Sequence, residues 1–282
     1  MTQTTSPETS RKMHILLATD GSQWSEGAAR VAVAMAAAYP ARLTVITMFL
    51  IDQELKIVDA QGKRIEDEEA EVKARFAGVQ ALAAEAGISY TTEIRHGATP
   101  QYEITNAAAN LDVDVIVMGR RGERGLAQMF VGDATAKTIS LTDLPVIVVP
   151  EAATFWQHRI LLATDGSVHS QAALEATARF AEISGLPVTV LSVPNSTQID
   201  MRQIVDDAVR ELQTRNITAD ARVTEGKPEE VIAATVTEIG ADLVVLGSHG
   251  RTGITKLLLG SVSQTVIGAL SCPALVVTKP KK

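Results

Sequence analysis

The sequence holds a single cysteine, Cys272, in 282 residues, which excludes an intrachain disulfide framework and a cysteine-rich zinc site. Beside Pro273 it reads as a small buried residue and is compatible with a reducing compartment. Aromatic residues are almost as scarce. Ten of them leave the core to Ala, Val, Leu and Ile, which suits thin aliphatic layers of helix on sheet. No stretch reaches the ~18 apolar residues of a membrane helix, and Met1 to Lys12 are polar without a hydrophobic signal core. The expectation is a soluble cytoplasmic protein with a disordered tail over 1–12 and no membrane partner. Basic charge is also lacking. The net charge of -7 splits into -5 up to Pro150 and -2 beyond it, so wide attachment to nucleic acid is excluded while a small anion site is not.

What is present is a repeat. With 46% apolar and 21% charged residues the chain is of globular composition, and about 150 residues per domain suggests two domains. Ile15 to Ser22 read ILLATDGS, and Ile160 to Ser167 read ILLATDGS again, 145 positions later. Asp114 to Gly119 matches Asp242 to Gly247, and Leu144 to Val149 matches Cys272 to Val277, both at an offset of 128. The first half therefore carries an insertion of 17 residues between Leu50 and Phe76. That segment is crowded with charge and reads as a solvated loop running into the exposed face of a helix. The boundaries that follow are a first domain over 13–150, a linker over 151–157, entered at Pro150, and a second domain over 158–282.

Within each half, β-branched runs alternate with stretches of helical periodicity. Strands are expected over His14 to Thr19, Leu43 to Met48, Tyr90 to Arg95, Val113 to Met118 and Val146 to Val149. The second set is Arg159 to Ala163, Val188 to Ser192, Ala221 to Thr224, Leu243 to Leu246 and Ala274 to Thr278. Strand, helix, strand in repetition implies right-handed crossovers and a parallel sheet covered on both faces. The fold class is thus α/β: two repeated, doubly wound, Rossmann-like domains, each with five parallel strands. Ligands in such sheets sit at the carboxyl ends of strands where the winding reverses, which directs attention to the loops after strands one and four.

After strand four the second half reads Gly247-Ser-His-Gly250, nine residues, then Gly260-Ser261-Val262-Ser263. Glycines let the backbone approach a ligand closely, and Gly260 and Ser261 open a helix whose free amides favour an anion. The Ser261 and Ser263 hydroxyls would add donors. A flexible loop followed by a serine cap would leave the same pattern. After strand one, Thr164-Asp165-Gly166-Ser167 offers a carboxylate that either accepts from ribose hydroxyls or caps the next helix, a task Ser167 or Ser170 can also perform.

The repeated five-strand units, the aspartate after strand one and G-x2-G-x9-G-[ST] after strand four resemble the universal stress protein family, in a tandem two-domain form. The resemblance runs from Met13 to Lys279, and it implies a fold like that of the adenine nucleotide alpha hydrolases. It further implies ATP, alone or with Mg2+, at the carboxyl edge of the second sheet. Ala163, Thr164 and Asp165 would meet adenine and ribose, Val193 would offer its backbone to adenine, and Gly247 would face the ribose. Gly250, Gly260, Ser261, Val262 and Ser263 would hold the phosphates. The last strands of the two units would pair about a twofold axis, making a pseudo-dimer within one chain, and a homodimer of whole chains is a further expectation.

The first half departs from this pattern. Its degenerate site would comprise Thr19, Asp20, Gly119, Gly122, Gly132 and Asp133, with Asp133 where the motif requires Ser or Thr. A carboxylate ~4 Å from a phosphate oxygen opposes it by roughly 4 kcal/mol at an effective dielectric of 20. Two readings of Asp133 stand: a built-in anion and N-cap that leaves the site weak for ATP but open to adenosine, or a carboxylate neutralised by Arg120, Arg121, Arg124 or Mg2+. Converting it to serine would complete the motif.

Catalysis has less to stand on. His14, His96, His158, His169 and His249 show no metal-ligand spacing, and no residue presents itself as a base for activating water, although His249 lies inside the glycine loop. Neither G-x-G-x-x-G after the first strands nor G-x4-G-K-[ST] occurs, which disfavours a dehydrogenase and a Walker-type NTPase, and Lys256 falls within the nine-residue spacer. The expected function is an ATP-binding regulatory protein of the stress response, its nucleotide in the second domain and no catalytic or metal-binding residue. The alternative is a slow ATP-hydrolysing or phosphotransfer enzyme using the same loop.

Overall fold

The computed structural model describes residues 11–50, 61–121, 131–194, 200–250 and 259–278. The first half runs β1 (Met13–Ala18), α1 (Glu26–Ala38), β2 (Ala41–Leu50), α2 (Gln61–Ala86), β3 (Thr91–Gly97), α3 (Pro100–Asn110), β4 (Val115–Gly119), α4 (Asp133–Leu141) and β5 (Val146–Val149). The second repeats the order as β6 (Ile160–Ala163), α5 (Val168–Ser184), β7 (Val188–Ser192), α6 (Met201–Thr214), β8 (Ala219–Val223), α7 (Pro228–Ile239), β9 (Leu243–Gly247), α8 (Ser261–Ala269) and β10 (Ala274–Val277). Helix boundaries follow local chemistry. Pro100 and Pro228 open α3 and α7, where a missing N–H costs nothing, and Gly185 and Gly240 close α5 and α7 in the left-handed region.

The strands form one sheet of ten, in the order β3-β2-β1-β4-β5-β10-β9-β6-β7-β8. Every pairing within a half is parallel, and the halves meet where β5 and β10 pair antiparallel, with Leu275 opposite Ile147. The expected pairing of last strands is therefore an intrachain contact, and the sheet's two outer strands are β3 and β8. Side chains alternate between faces along each strand. Ile15, Leu17, Val117 and Val245 pack beneath α1, α2, α5 and α6, whereas Leu16, Ile116, Met118 and Val244 pack beneath α3, α4, α7 and α8. Burial on both faces is why these strands read as continuous aliphatic runs.

Several boundaries differ from expectation, β4 starting two residues later, at Val115, and β8 two residues earlier, at Ala219. Strands β2 and β3 run two residues past Met48 and Arg95, because Phe49 and Leu50 continue the ladder onto His96 and Gly97. The charged insertion runs into a helix as its charge pattern suggested, and α2 has 26 residues against 14 in α6. Of the tail expected over 1–12, Arg11 is held at the sheet's amino edge, donating to the Asp112 carbonyl at 2.7 Å and pairing with Asp114 at 3.0 Å.

The linker is packed rather than solvated. Trp156 is 1% exposed, with Phe155 at 4.6 Å and Phe180 of α5 at 6.0 Å between ring centroids. Phe155 in turn meets Tyr39, at the end of α1, edge-on at 5.7 Å. On the opposite face Arg120, from the loop after β4, reaches across to the second half. Its Nη1 donates to the carbonyls of Gly268 and Leu270 at 2.8 Å each and of Ile267 at 3.3 Å, placing a cation at the C-terminal end of α8. Hydrogen bonds from a charged donor contribute about 1.5–3 kcal/mol. Arg120→Ala is accordingly expected to destabilise the protein by about 2 kcal/mol in chemical denaturation, with Arg120→Lys losing less.

Cys272 is buried, and burial pushes its thiol up to about 12, out of reach of thiolate chemistry. Among the described residues, no helix is long and apolar enough to cross a membrane.

Candidate functional site

The loops after β6 and β9 meet at the carboxyl edge of the second half, on either side of the point where the order of winding reverses. In Thr164-Asp165-Gly166-Ser167 the backbone turns through Gly166 at a φ of +72°, a conformation that disfavours a side chain. Asp165 Oδ1 accepts the Ser167 amide at 3.0 Å, and the cap of α5 is Ser167, whose hydroxyl oxygen accepts from the Ser170 amide. The carboxylate is thus spared the capping role. Its Oδ2 lies 2.9 Å from the point where a Cβ on Gly250 would stand, so a side chain at 250 would collide with it. The carboxylate and the glycine loop thus lie side by side.

The end of the site where phosphates are expected is built from backbone. Gly260 caps α8 with no side-chain hydrogen bond, and its own amide closes the loop on the Ser248 carbonyl at 2.9 Å. A Cβ on Gly260 would stand 3.0 Å from that same oxygen, which is why the position takes glycine. The first-turn amides of Ser261, Val262 and Ser263 have no intrahelical acceptor and remain for an anion. Ser261 and Val262 are exposed at this helix end.

The geometry corrects one expected contribution and gives a second residue a packing role. The Ser263 hydroxyl has one proton to give, and it donates it to the Gly247 carbonyl at 2.9 Å in a buried position. It ties helix to strand, as Thr135 does through Gly119 at 3.0 Å in the first half, and what it offers a phosphate is its amide. Gly247 is small because α5 demands it, since a Cβ there would approach His169 to 2.8 Å. Ala163, Thr164 and Val193 stand half-buried at the same edge, Thr164 with its amide on the Leu191 carbonyl at 2.9 Å.

The site also contains a pair the sequence left apart. His169 of α5 and His249 of the glycine loop lie with ring centroids 5.2 Å apart, and their Nδ1 atoms stand 3.4 and 3.1 Å from the hydroxyl of Ser248. At the same positions of the first half, Arg121 lies over the Trp24 ring, 5.7 Å from its centroid. The other histidines are elsewhere: His14 is buried between the Leu111 carbonyl and Thr44, His96 stacks on Phe49, and His158 pairs with Asp242. Among the described residues no group of three or more His, Cys, Asp or Glu could hold a metal ion.

In the first half, Thr19 is buried with its hydroxyl on Ser25, and Asp20 accepts from Ser22 as Asp165 does from Ser167. Gly119 abuts the carbonyl of Trp24. Gly122 and Arg124 lie outside the described residues, as does Lys256 of the second loop. Asp133 is the first residue of α4 and not its cap, which is Gly132. It is exposed and paired with Lys137 at 2.7 Å, one turn along the helix. Neutralisation by Arg120 is overturned, since that guanidinium is committed to α8.

A two-part repeat in which a strand-one aspartate faces a glycine loop at a helix start has its counterpart among known sequences. The family profile of the universal stress proteins matches residues 13–150 and again 157–278. The chain belongs to the universal stress protein family. A universal stress protein of Synechocystis is 29% identical over 167 residues, 58% of this chain, and the chain spans 58% of that relative's length. One from Mycobacterium tuberculosis is 27% identical over 296 residues, covering 94% of this chain and 97% of its own. Among solved structures, a universal stress protein of Archaeoglobus fulgidus superimposes with a TM-score of 0.76 at 21% identity, covering 94% of this chain and 98% of that one. A universal stress protein solved in complex with cAMP covers 44% of this chain and 98% of its own, at 23% identity and a TM-score of 0.39. Arg75, Arg120 and Trp156 had no place in the family's motif. The Asp133 to Lys137 spacing of four did carry a readable signal.

Proposed function

We propose that the second half binds ATP, and that occupancy of this site is what a partner in a stress response reads. The observation that carries the reading is the approach of Asp165 Oδ2 to Gly250 beside the uncapped start of α8. A ribose acceptor and a phosphate-binding helix end then lie within one nucleotide's reach. Asp165 would take the ribose hydroxyls, the Val193 carbonyl the adenine amine, and the amides of Ser261, Val262 and Ser263 the phosphate oxygens. Bound Mg2+ would supply charge neutralisation at those oxygens.

One observation favours a hydrolytic reading instead. His169 and His249 flank the Ser248 hydroxyl beside the glycine loop, and an imidazole there has the chemistry of a general acid or base. Native mass spectrometry under ATP titration, with phosphate release followed over hours, separates the two. A binder returns one intact ATP per chain. Phosphate release that depends on Mg2+ and is lost in His249→Ala makes the protein an enzyme, and a count of zero removes the ATP site.

A further inference from the structure

The amide of Thr19 takes the Ile46 carbonyl at 3.0 Å, and in the second half the amide of Thr164 takes the Leu191 carbonyl at 2.9 Å. Those two acceptors are equivalent at the repeat's offset of 145. Two residues further along each strand, on the same side of the backbone, the next carbonyls are those of Met48 and Val193. Because β1 and β6 have ended by then, these carbonyls border the loops that follow the first strand of each half. They are the acceptors an adenine amine would use.

In the first half this acceptor is already taken. Arg75 of α2 donates through Nη1 to the Met48 carbonyl at 2.6 Å and to the Thr47 hydroxyl at 3.4 Å. Its guanidinium carbon stands 4.4 Å from the centroid of Phe49, and its Nη2 is anchored on Glu71 at 2.6 Å, one turn back along α2. The backbone beneath is pressed onto the loop after β1, since a Cβ on Gly21 would come within 2.5 Å of the Arg75 Cα. A planar, hydrogen-bonding cation over an aromatic ring thus holds the acceptor that a purine amine would need and stands in the way of its ring.

We infer that Arg75 is an internal occupant of the first half's base site, which excludes adenosine as well as ATP from that half. Asp133, paired with Lys137, bears only on phosphate, whereas Arg75 acts at the other end of the cleft by occupying the base's acceptor. The adenosine binding that the sequence left open for this half is therefore closed, and Asp133→Ser alone does not create a second nucleotide site. This rests on the assignment of adenine to the Val193 carbonyl in the second half.

The test uses the full chain and adenosine, which takes Asp133 out of the comparison. Adenosine is titrated under native mass spectrometry, and 8-azidoadenosine is photolinked and its site mapped by peptide. The wild type is expected to carry one adenosine, labelled in the second half. Arg75→Ala and Arg75→Gln, the latter keeping an aliphatic stem over Gly21, are expected to carry two, with new label between residues 42 and 50. Two adenosines on the wild type, or a count of one on whichever variants retain the wild-type circular dichroism, overturn the inference. No adenosine on the wild type but first-half label on a variant leaves it standing and sinks the second-half assignment instead.

Discussion

Ser261→Asp is expected to weaken ATP binding by roughly three decades while leaving adenosine affinity within about threefold. The substitution writes into the second half's glycine loop the residue that the first half carries at Asp133. Ser261 is exposed at the start of α8, so the fold has little to lose. The new carboxylate, however, stands beside the amides that would meet phosphate oxygens. At ~4 Å and an effective dielectric of 20 the repulsion is roughly 4 kcal/mol, which sets the size of the effect. Isothermal titration with ATP and adenosine reads the two arms separately. Equal losses for both ligands would mean that α8 does not hold phosphate, and no loss for either would place the nucleotide elsewhere. Gly260→Asp should remove ATP binding too, but through the loop itself, because its Cβ would crowd the Ser248 carbonyl.

The fold was legible because it is governed by patterns that sequence records directly. An octapeptide written twice and aliphatic runs at strand length announce two copies of one parallel unit. The faces of β1 alternate as Ile15, Leu17 against Leu16, Ala18, which requires only the two-residue period of a strand. The ladder between β5 and β10 was reached through family resemblance, and edge strands rich in Val and Ile are physically suited to it. The neighbourhood of Asp165 and Gly250 was legible for a related reason: sheet topology brings the loops after strands one and four together whatever their side chains.

Long cationic side chains were not legible, because what they bond to is decided by tertiary geometry. Arg75 stands among charged residues on α2, where a solvated face is the ordinary expectation, yet its stem lies on Gly21 and its head on a strand carbonyl. Arg120 stood next to a loop with a carboxylate to offer. The carbonyl cluster at the end of α8 took it instead, since several acceptors at a helix terminus outbid one exposed acid. In both cases the arginine replaces something smaller in the second half, Ser248 at the position of Arg120 and Ile204 near that of Arg75. The first half thus uses both arginines for internal contacts, one toward its own second strand and one toward the other half.

Trp156→Ala should be strongly destabilising, costing roughly 3–5 kcal/mol. The indole is 1% exposed, and it stands between Phe155 and Phe180 while Phe155 reaches Tyr39 at the end of α1. Truncation therefore removes the largest buried side chain at the seam between halves and leaves a cavity walled by rings that cannot all collapse inward. The flanking chain adds to the effect. Pro150 and Glu151 lie so close to Gly27 of α1 that a Cβ there would meet the Pro150 carbonyl at 2.2 Å, which holds the linker to a single path. Relaxation of the backbone into the cavity is thereby limited, which places the cost toward the upper end of the range. At the usual entropy of unfolding for domains of this size, the midpoint should fall by roughly 6–20 °C. Scanning calorimetry checks both the shift and its shape. If Trp156 joins the halves, the variant's single endotherm should split or broaden, because the coupling would then fall to the β5 to β10 ladder of three residue pairs, to Arg120, and to the Thr278 hydroxyl, which donates to the Thr142 carbonyl at 2.9 Å. A shift below about 2 °C with an unchanged profile would mean that the linker is a tether and the aromatic seam contributes nothing to cohesion.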